Sequence, residues 1–192
     1  MTITIIHGGQ TGVDRGAHEA AIDNGWPIAG YMPRDQRDEL GRIPPDVARF
    51  LVPHDKTSYA ARTEANVRTA AAVLIVVKDA DDPRATPGTA KTIDLAMERG
   101  LRRLIVDPSD DAGMIARWIW YDLLMVSGTL PLPLETPPIA PIPTRLLVAG
   151  PRESKWRWAR VETAALLRRA AIALAEIPRT REPGRDLARA RR

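Results

Sequence analysis

Thr2-Ile3-Thr4-Ile5-Ile6, then His7-Gly8-Gly9-Gln10-Thr11-Gly12, then Val13-Asp14-Arg15-Gly16-Ala17-His18-Glu19-Ala20-Ala21 is the stretch that decides the fold class. The first five residues form a short β-branched run, the composition of a strand. The glycines that follow permit the sharp turn that a strand needs before a helix. Val13, Ala17, Ala20 and Ala21 then recur at helical spacing until Asn24-Gly25 stops the helix. Their small side chains would let that helix sit close to a sheet.

The same unit of strand, glycine turn and helix repeats outward from this stretch. Pro27–Tyr31 is a second strand, followed by a polar loop through Pro44-Pro45 and a brief strand at Phe50–Val52. Ser58–Thr69 reads as a helix leading into Ala72–Val77, an apolar run of the kind buried on both faces of a parallel sheet. After the turn Thr86-Pro87-Gly88-Thr89, positions Ala90, Ile93 and Met97 mark a helix that ends at Gly100. Leu104–Val106 and Arg145–Ala149 are further strands, Met114–Val126 a helix, and Glu153–Ile177 the last helix. Strands alternating with helices predict an α/β fold with a mostly parallel sheet and right-handed crossovers. Residues 1–177 are expected to form one domain. Residues 129–144, with six prolines, form a stiff connection within it.

Composition narrows the function. A chain of 192 residues, 44% hydrophobic, can bury a substantial core. Its longest apolar run, Ala70–Val77, is far short of the ~18 residues of a membrane span. With no basic segment at the start, a cytoplasmic protein is expected. The absence of cysteine excludes disulfides, thiolate metal sites and a cysteine nucleophile. The net charge of +4 resides entirely in the tail, where Arg179, Arg181, Arg185, Arg189, Arg191 and Arg192 face only Glu182 and Asp186. Residues 178–192 are therefore expected to be a disordered end, and no basic face for nucleic acid is implied.

Ligands of open α/β sheets bind beyond the carboxyl ends of the strands. Three turns suit that position: His7–Gly12, Thr86–Thr89, and Ala149-Gly150-Pro151-Arg152-Glu153-Ser154. None is a GxGxxG or Walker A loop, but together they favour an anionic ligand over a purely structural use of glycine. In this reading Gly8, Gly9, Gln10, Thr11 and Gly12 cradle one anionic group, and Gly88 with Thr89 cradles it or a second. Arg15, Arg34 and Arg152 are candidate charge partners, and Gly150 and Ser154 belong to the third turn. Asp14 would orient the first loop or accept from a ligand amine. Tyr59, Arg62 and Asn66 share one polar helical face, read either as solvated or as part of the site, with Glu64 pairing to a nearby arginine. His7, His18 and His54 lack metal-ligand spacing, so no directly coordinated metal is expected. Trp156 and Trp158 pack on the sheet or stack on a planar ring. The helix bearing Trp118, Trp120 and Tyr121 is apolar over most of its circumference, which favours a contact between subunits.

Ile6-His7-Gly8-Gly9-Gln10-Thr11-Gly12-Val13-Asp14-Arg15-Gly16-Ala17 resembles the opening of the molybdenum-cofactor carrier proteins. The likeness continues through Gly30-Tyr31-Met32-Pro33-Arg34, Arg62-Thr63-Glu64-Ala65-Asn66-Val67-Arg68, Pro87-Gly88-Thr89-Ala90 with Thr92, and Val148-Ala149-Gly150-Pro151-Arg152-Glu153-Ser154. The resemblance implies a Rossmann-like three-layer fold, a homo-oligomer (dimer or tetramer), and a pocket for the molybdenum cofactor (molybdopterin) or a related pterin or nucleotide phosphate. It also places the chain near the phosphoribohydrolases once called lysine decarboxylases. The alternative is therefore an N-glycosidase that releases a base from a nucleoside monophosphate. Those hydrolases carry acidic residues two and three positions after the threonine of Pro-Gly-Gly-x-Gly-Thr. Here Lys91 and Thr92 follow Thr89-Ala90, which tilts the reading toward binding over catalysis. Pro87 also replaces the first glycine of the carriers' usual Gly-Gly-Thr, removing one N–H donor.

Overall fold

The computed structural model describes residues 3–121 and 144–177. In chain order the elements are β1 (Ile3–Ile6), α1 (Val13–Asp23), β2 (Ile28–Ala29), β3 (Tyr31–Met32), β4 (Arg37–Asp38), β5 (Gly41–Arg42), α2 (Pro45–Ala48) and β6 (Val52–Pro53). There follow α3 (Tyr59–Thr69), β7 (Ala72–Val76), α4 (Pro87–Glu98), β8 (Arg102–Val106), α5 (Ala112–Trp118), β9 (Thr144–Ala149) and α6 (Ala159–Glu176). Five strands form one sheet in the order β2-β1-β9-β7-β8, with every pairing parallel. Helices cover both faces, so this is the α/β, Rossmann-like three-layer architecture.

Strand alternation sorts the core into two halves. Ile3 and Ile5, Leu74 and Val76, and Leu146 and Val148 point to one face, where Val13, Ala17, Ala20 and Ala21 of α1 meet Leu166, Leu167 and Ala170 of α6 and Ile115 of α5. Ile6, Val73, Ile75 and Leu147 point to the other, against Val67 of α3 and Ile93 and Ala96 of α4. Every residue of β1 and of β7 is buried, as expected of inner parallel strands. Gly16 brings α1 close to α6: a Cβ there would collide with the carbonyl oxygen of Arg160.

The last strand sets the topology. After β1 the chain runs outward to β2, and after β7 it runs outward on the other side to β8. β9 fills the space between, registering Ile5 with Leu146 on one side and Leu74 with Val148 on the other. The loops after β1, β9 and β7 therefore meet at one edge, the crevice in which such folds hold ligands.

Three local expectations are corrected. The strand expected at Pro27–Tyr31 is two strands in different sheets, because β2 pairs with β1 while β3 pairs with β6. Gly30 makes the break: its φ is +138° and a Cβ there would strike the His7 carbonyl oxygen. The last helix starts at Ala159 and not at Glu153, since residues 151–158 form turns. The helix α4 begins earlier than Ala90, at Pro87, with Thr86 as its N-cap. The helix expected to Val126 is described through Tyr121, where Ile115, Ala116 and Ile119 are buried. Its remainder, most of the proline-rich connection and the arginine-rich tail lie outside the described residues.

Candidate functional site

Beyond the carboxyl ends of β1 and β9 lies a cleft of about 380 Å³. Leu147 and Ala149 of β9 line its base, and the loop after β1 contributes Gln10 and Asp14. The helix α3 contributes Tyr59, Arg62, Thr63 and Asn66, and the first turn of α4 contributes Pro87, Gly88 and Thr92 after Thr86. Gly150, Arg152 and Lys155 close it from the loop after β9. A volume above ~300 Å³ is within the range of small-molecule sites.

The first loop is wired from within. Asp14 Oδ2 accepts from the Gly8 amide at 3.0 Å and from the Gln10 amide at 3.1 Å. The Gly9 amide donates to His7 Nδ1 at 3.1 Å, and the Val13 amide donates to the Pro151 carbonyl at 3.1 Å. Most amides that the glycines were expected to offer an anion thus already have partners. Burial raises the Asp14 carboxyl above its ordinary range, an effect that the Arg62 charge and the two amides only partly oppose. Arg62 Nη1 stands 3.5 Å from Asp14 Oδ2. Its guanidinium lies across Gly8, where any Cβ would collide with it.

His7 and His18, eleven residues apart, are brought to 3.2 Å between Nε2 and Nδ1. Burial drives His7 well below its ordinary value, and His18, Arg62 and Arg15 push the same way. Burial also lowers His18, with Asp46 pulling against it. The pair is neutral. Because His7 Nδ1 accepts from Gly9, its proton sits on Nε2 and is donated to His18.

One carboxylate that the sequence did not single out ties the first and third loops together. Glu39, beside the β4–β5 hairpin, accepts hydrogen bonds from the hydroxyls of Thr11 and Ser154. It also accepts from the Ser154 amide at 3.1 Å, and Arg152 Nε lies 3.6 Å away. Burial alone would raise the Glu39 carboxyl, but these hydrogen bonds and the Arg152 charge outweigh it and hold it low. Its neighbour Asp38 binds Arg15 at 2.7 Å, and Arg15 Nε donates to the Gly9 carbonyl at 3.1 Å. Gly12 makes the joint possible: with φ +71°, its Cβ position lies 2.5 Å from the Pro151 carbonyl oxygen.

Of the residues predicted from sequence, the cleft gathers Gln10, Asp14, Arg62, Asn66, Gly88, Gly150 and Arg152. Gly8, Gly9, Thr11, Gly12 and Ser154 shape the loops behind it. Arg15 is held by Asp38, and Arg34 is exposed away from the cleft. Thr89 is buried, its amide donating to the Thr86 hydroxyl at 3.3 Å. Asn66 clamps the backbone of Tyr31 through its carboxamide, at 2.7 Å and 3.0 Å, while also lining the cleft. Glu64 pairs with Arg68 on the outer side of α3. Trp156 is buried in the core, and Trp158 is exposed beneath the Arg157 guanidinium. Lys155 was missed; its signal was a second cation three residues beyond Arg152.

Three comparisons bear on this architecture. No curated protein matches the chain. A crystal structure from Syntrophus aciditrophicus SB, named "putative molybdenum carrier protein", superposes with a TM-score of 0.69 at 28% identity, covering 88% of this chain and 94% of that one. The family model of the circularly permutated YpsA SLOG proteins matches residues 5–128, which include the first loop, α3 and the α4 turn. On that match, the chain belongs to the circularly permutated YpsA SLOG family.

Proposed function

We propose that the protein is a carrier for a phosphate-bearing heterocycle, a molybdopterin-type pterin or a nucleotide, held in the cleft beyond β1 and β9. The observation that carries this reading is the balance of charge in the cleft. Arg62, Arg152 and Lys155 line it, against a single lining carboxylate among the described residues, Asp14, whose charged form burial disfavours. A concave surface with that balance attracts an anion. Arg152 and Lys155 flank the open third loop, and Gly88 sits in the first turn of α4, where nothing would obstruct a ligand. The name of the similar Syntrophus protein supports a molybdenum-bearing cargo.

The donors fit such a cargo through its phosphate and its ring. Among the described residues no group of three or more His, Asp or Glu could hold a metal. In this reading molybdenum arrives on the sulfurs of its own pterin. The alternative, an N-glycosidase, would be expected to carry carboxylates two and three positions after Thr89. There Thr92 instead donates its hydroxyl to the Gly88 carbonyl at 3.1 Å, and this favours binding. We read the working form as a soluble homo-oligomer; no described helix is long and apolar enough to cross a membrane.

Native mass spectrometry of the freshly purified protein, beside a denatured control, tests the proposal and reads the assembly mass. A released pterin or molybdenum species supports it, and loss of that species in Arg152→Ala and Lys155→Ala places the anion at the third loop. A chain that carries no ligand and releases base from nucleoside monophosphates would replace the carrier with the hydrolase.

A further inference from the structure

The first loop presents one group to the cleft that nothing among the described residues satisfies. Gln10 is 9% exposed, and among the described residues neither its Oε1 nor its Nε2 has a hydrogen-bond partner. Arg62 Nε, on the same cleft, is likewise buried and unpartnered. Buried polar groups are nearly always paired, so three such atoms on two residues that line one cleft mark the contacts that a ligand completes.

Their chemistry says which part of the ligand comes here. A phosphate offers acceptors only. It would satisfy Nε2 and Arg62 Nε but would set its oxygens against Oε1. A carboxamide instead matches an edge with a donor beside an acceptor. Arg62 Nε adds a second donor, so the acceptor needs two lone pairs, as a carbonyl oxygen has and a ring nitrogen lacks. From these atoms we infer that Gln10 and Arg62 read the lactam edge, C(=O)–NH, of the ligand's heterocycle, with the carbonyl taking Nε2 and Arg62 Nε and the N–H donating to Oε1. The loop thus faces the ring, and the anion lies across the cleft toward Arg152 and Lys155. This inference rests on the carrier reading and specifies its ligand: a ring with a lactam edge, such as guanine, hypoxanthine, uracil or a pterin, and not an adenine or cytosine.

The test is calorimetric titration of the full chain with GMP and a pterin monophosphate, both carrying the lactam, with AMP, which lacks it, and with ribose 5-phosphate, which lacks the ring. The wild type should bind at least one lactam probe more tightly than AMP. Gln10→Leu should lower that affinity about ten- to a hundredfold while leaving ribose 5-phosphate unchanged. Gln10→Glu keeps the acceptor but sets a charged oxygen against the carbonyl, and it should show the same selective loss. It also serves if the leucine variant misfolds, which its melting temperature reveals. An equal loss for ribose 5-phosphate would put Gln10 on the anion and overturn the inference. No loss for any probe, or equal binding of AMP and the lactam probes, would overturn it too. A wild type that binds none of the four would instead refute the carrier reading.

Discussion

Replacing Glu39 with alanine removes the bridge between the first and third loops, and its cost follows from the contacts described above. The Glu39 side chain is 11% exposed and receives the Thr11 hydroxyl, the Ser154 hydroxyl and the Ser154 amide. A hydrogen bond to a charged acceptor contributes about 1.5 to 3 kcal/mol when buried, and the Thr11 contact qualifies, since Thr11 is buried. Ser154 and Arg152 are exposed, so water replaces much of what they lose, leaving about 0.5 kcal/mol each. The loss comes to about 2.5 to 4 kcal/mol, a fall of roughly 5 to 16 °C in Tm for a domain of this size. The effect has a definite sign with pH. Glu39 is held below the ordinary carboxylate range, so the native protein binds its proton less readily than the unfolded chain. The stabilisation is complete above that range and is lost as pH falls through the folded value. Thermal melts of wild type and Glu39→Ala should therefore differ most at neutral pH and converge toward the acid end. A neutral-pH difference under about 1 °C, or a gap that stays constant with pH, would refute the latch, because a bridging carboxylate cannot be both dispensable and charge-dependent.

Two further outcomes follow from the same wiring. Gly12→Ala forces φ +71° on a residue with a Cβ that falls 2.5 Å from the Pro151 carbonyl oxygen. It should cost about 3 kcal/mol or more in chemical denaturation. The neutral His7–His18 pair stabilises the protein most above about pH 6.5, and that contribution should fall away below it as both imidazoles are forced to charge. His18→Gln should flatten that part of the pH–stability profile; an unchanged slope would mean that the pair titrates no differently in the unfolded chain.

The order strand, glycine turn, helix was legible because it depends on neighbours. β-branched runs, alanines at helical spacing and Asn24-Gly25 act within a few residues, and β1 and α1 lie where these signals place them. The double burial of β7 was legible too, since a strand apolar at every position has no face left for water. The start of the last helix was less legible: the periodic positions Ala164, Leu167, Ala171 and Leu174 lie well inside it, and before Ala159 the chain turns to meet the first loop.

The sequence by itself determined the α/β class, the parallel sheet and which loops bear glycine and arginine. Only the tertiary structure decided that β9 enters between β1 and β7, and with it every contact across the crevice. Glu39 reaches Ser154 over 115 residues, Glu153 reaches Thr11 over 142, and His7 meets His18 only once α1 has packed on the sheet. Strand order fixes which loops become neighbours, and it is set by the burial of whole faces, which no short-range pattern encodes. For the same reason Arg15 turned out to serve Asp38 while Gln10 was left unpaired at the cleft. A side chain's partner depends on what the fold brings beside it, and its type fixes only what it can accept or donate.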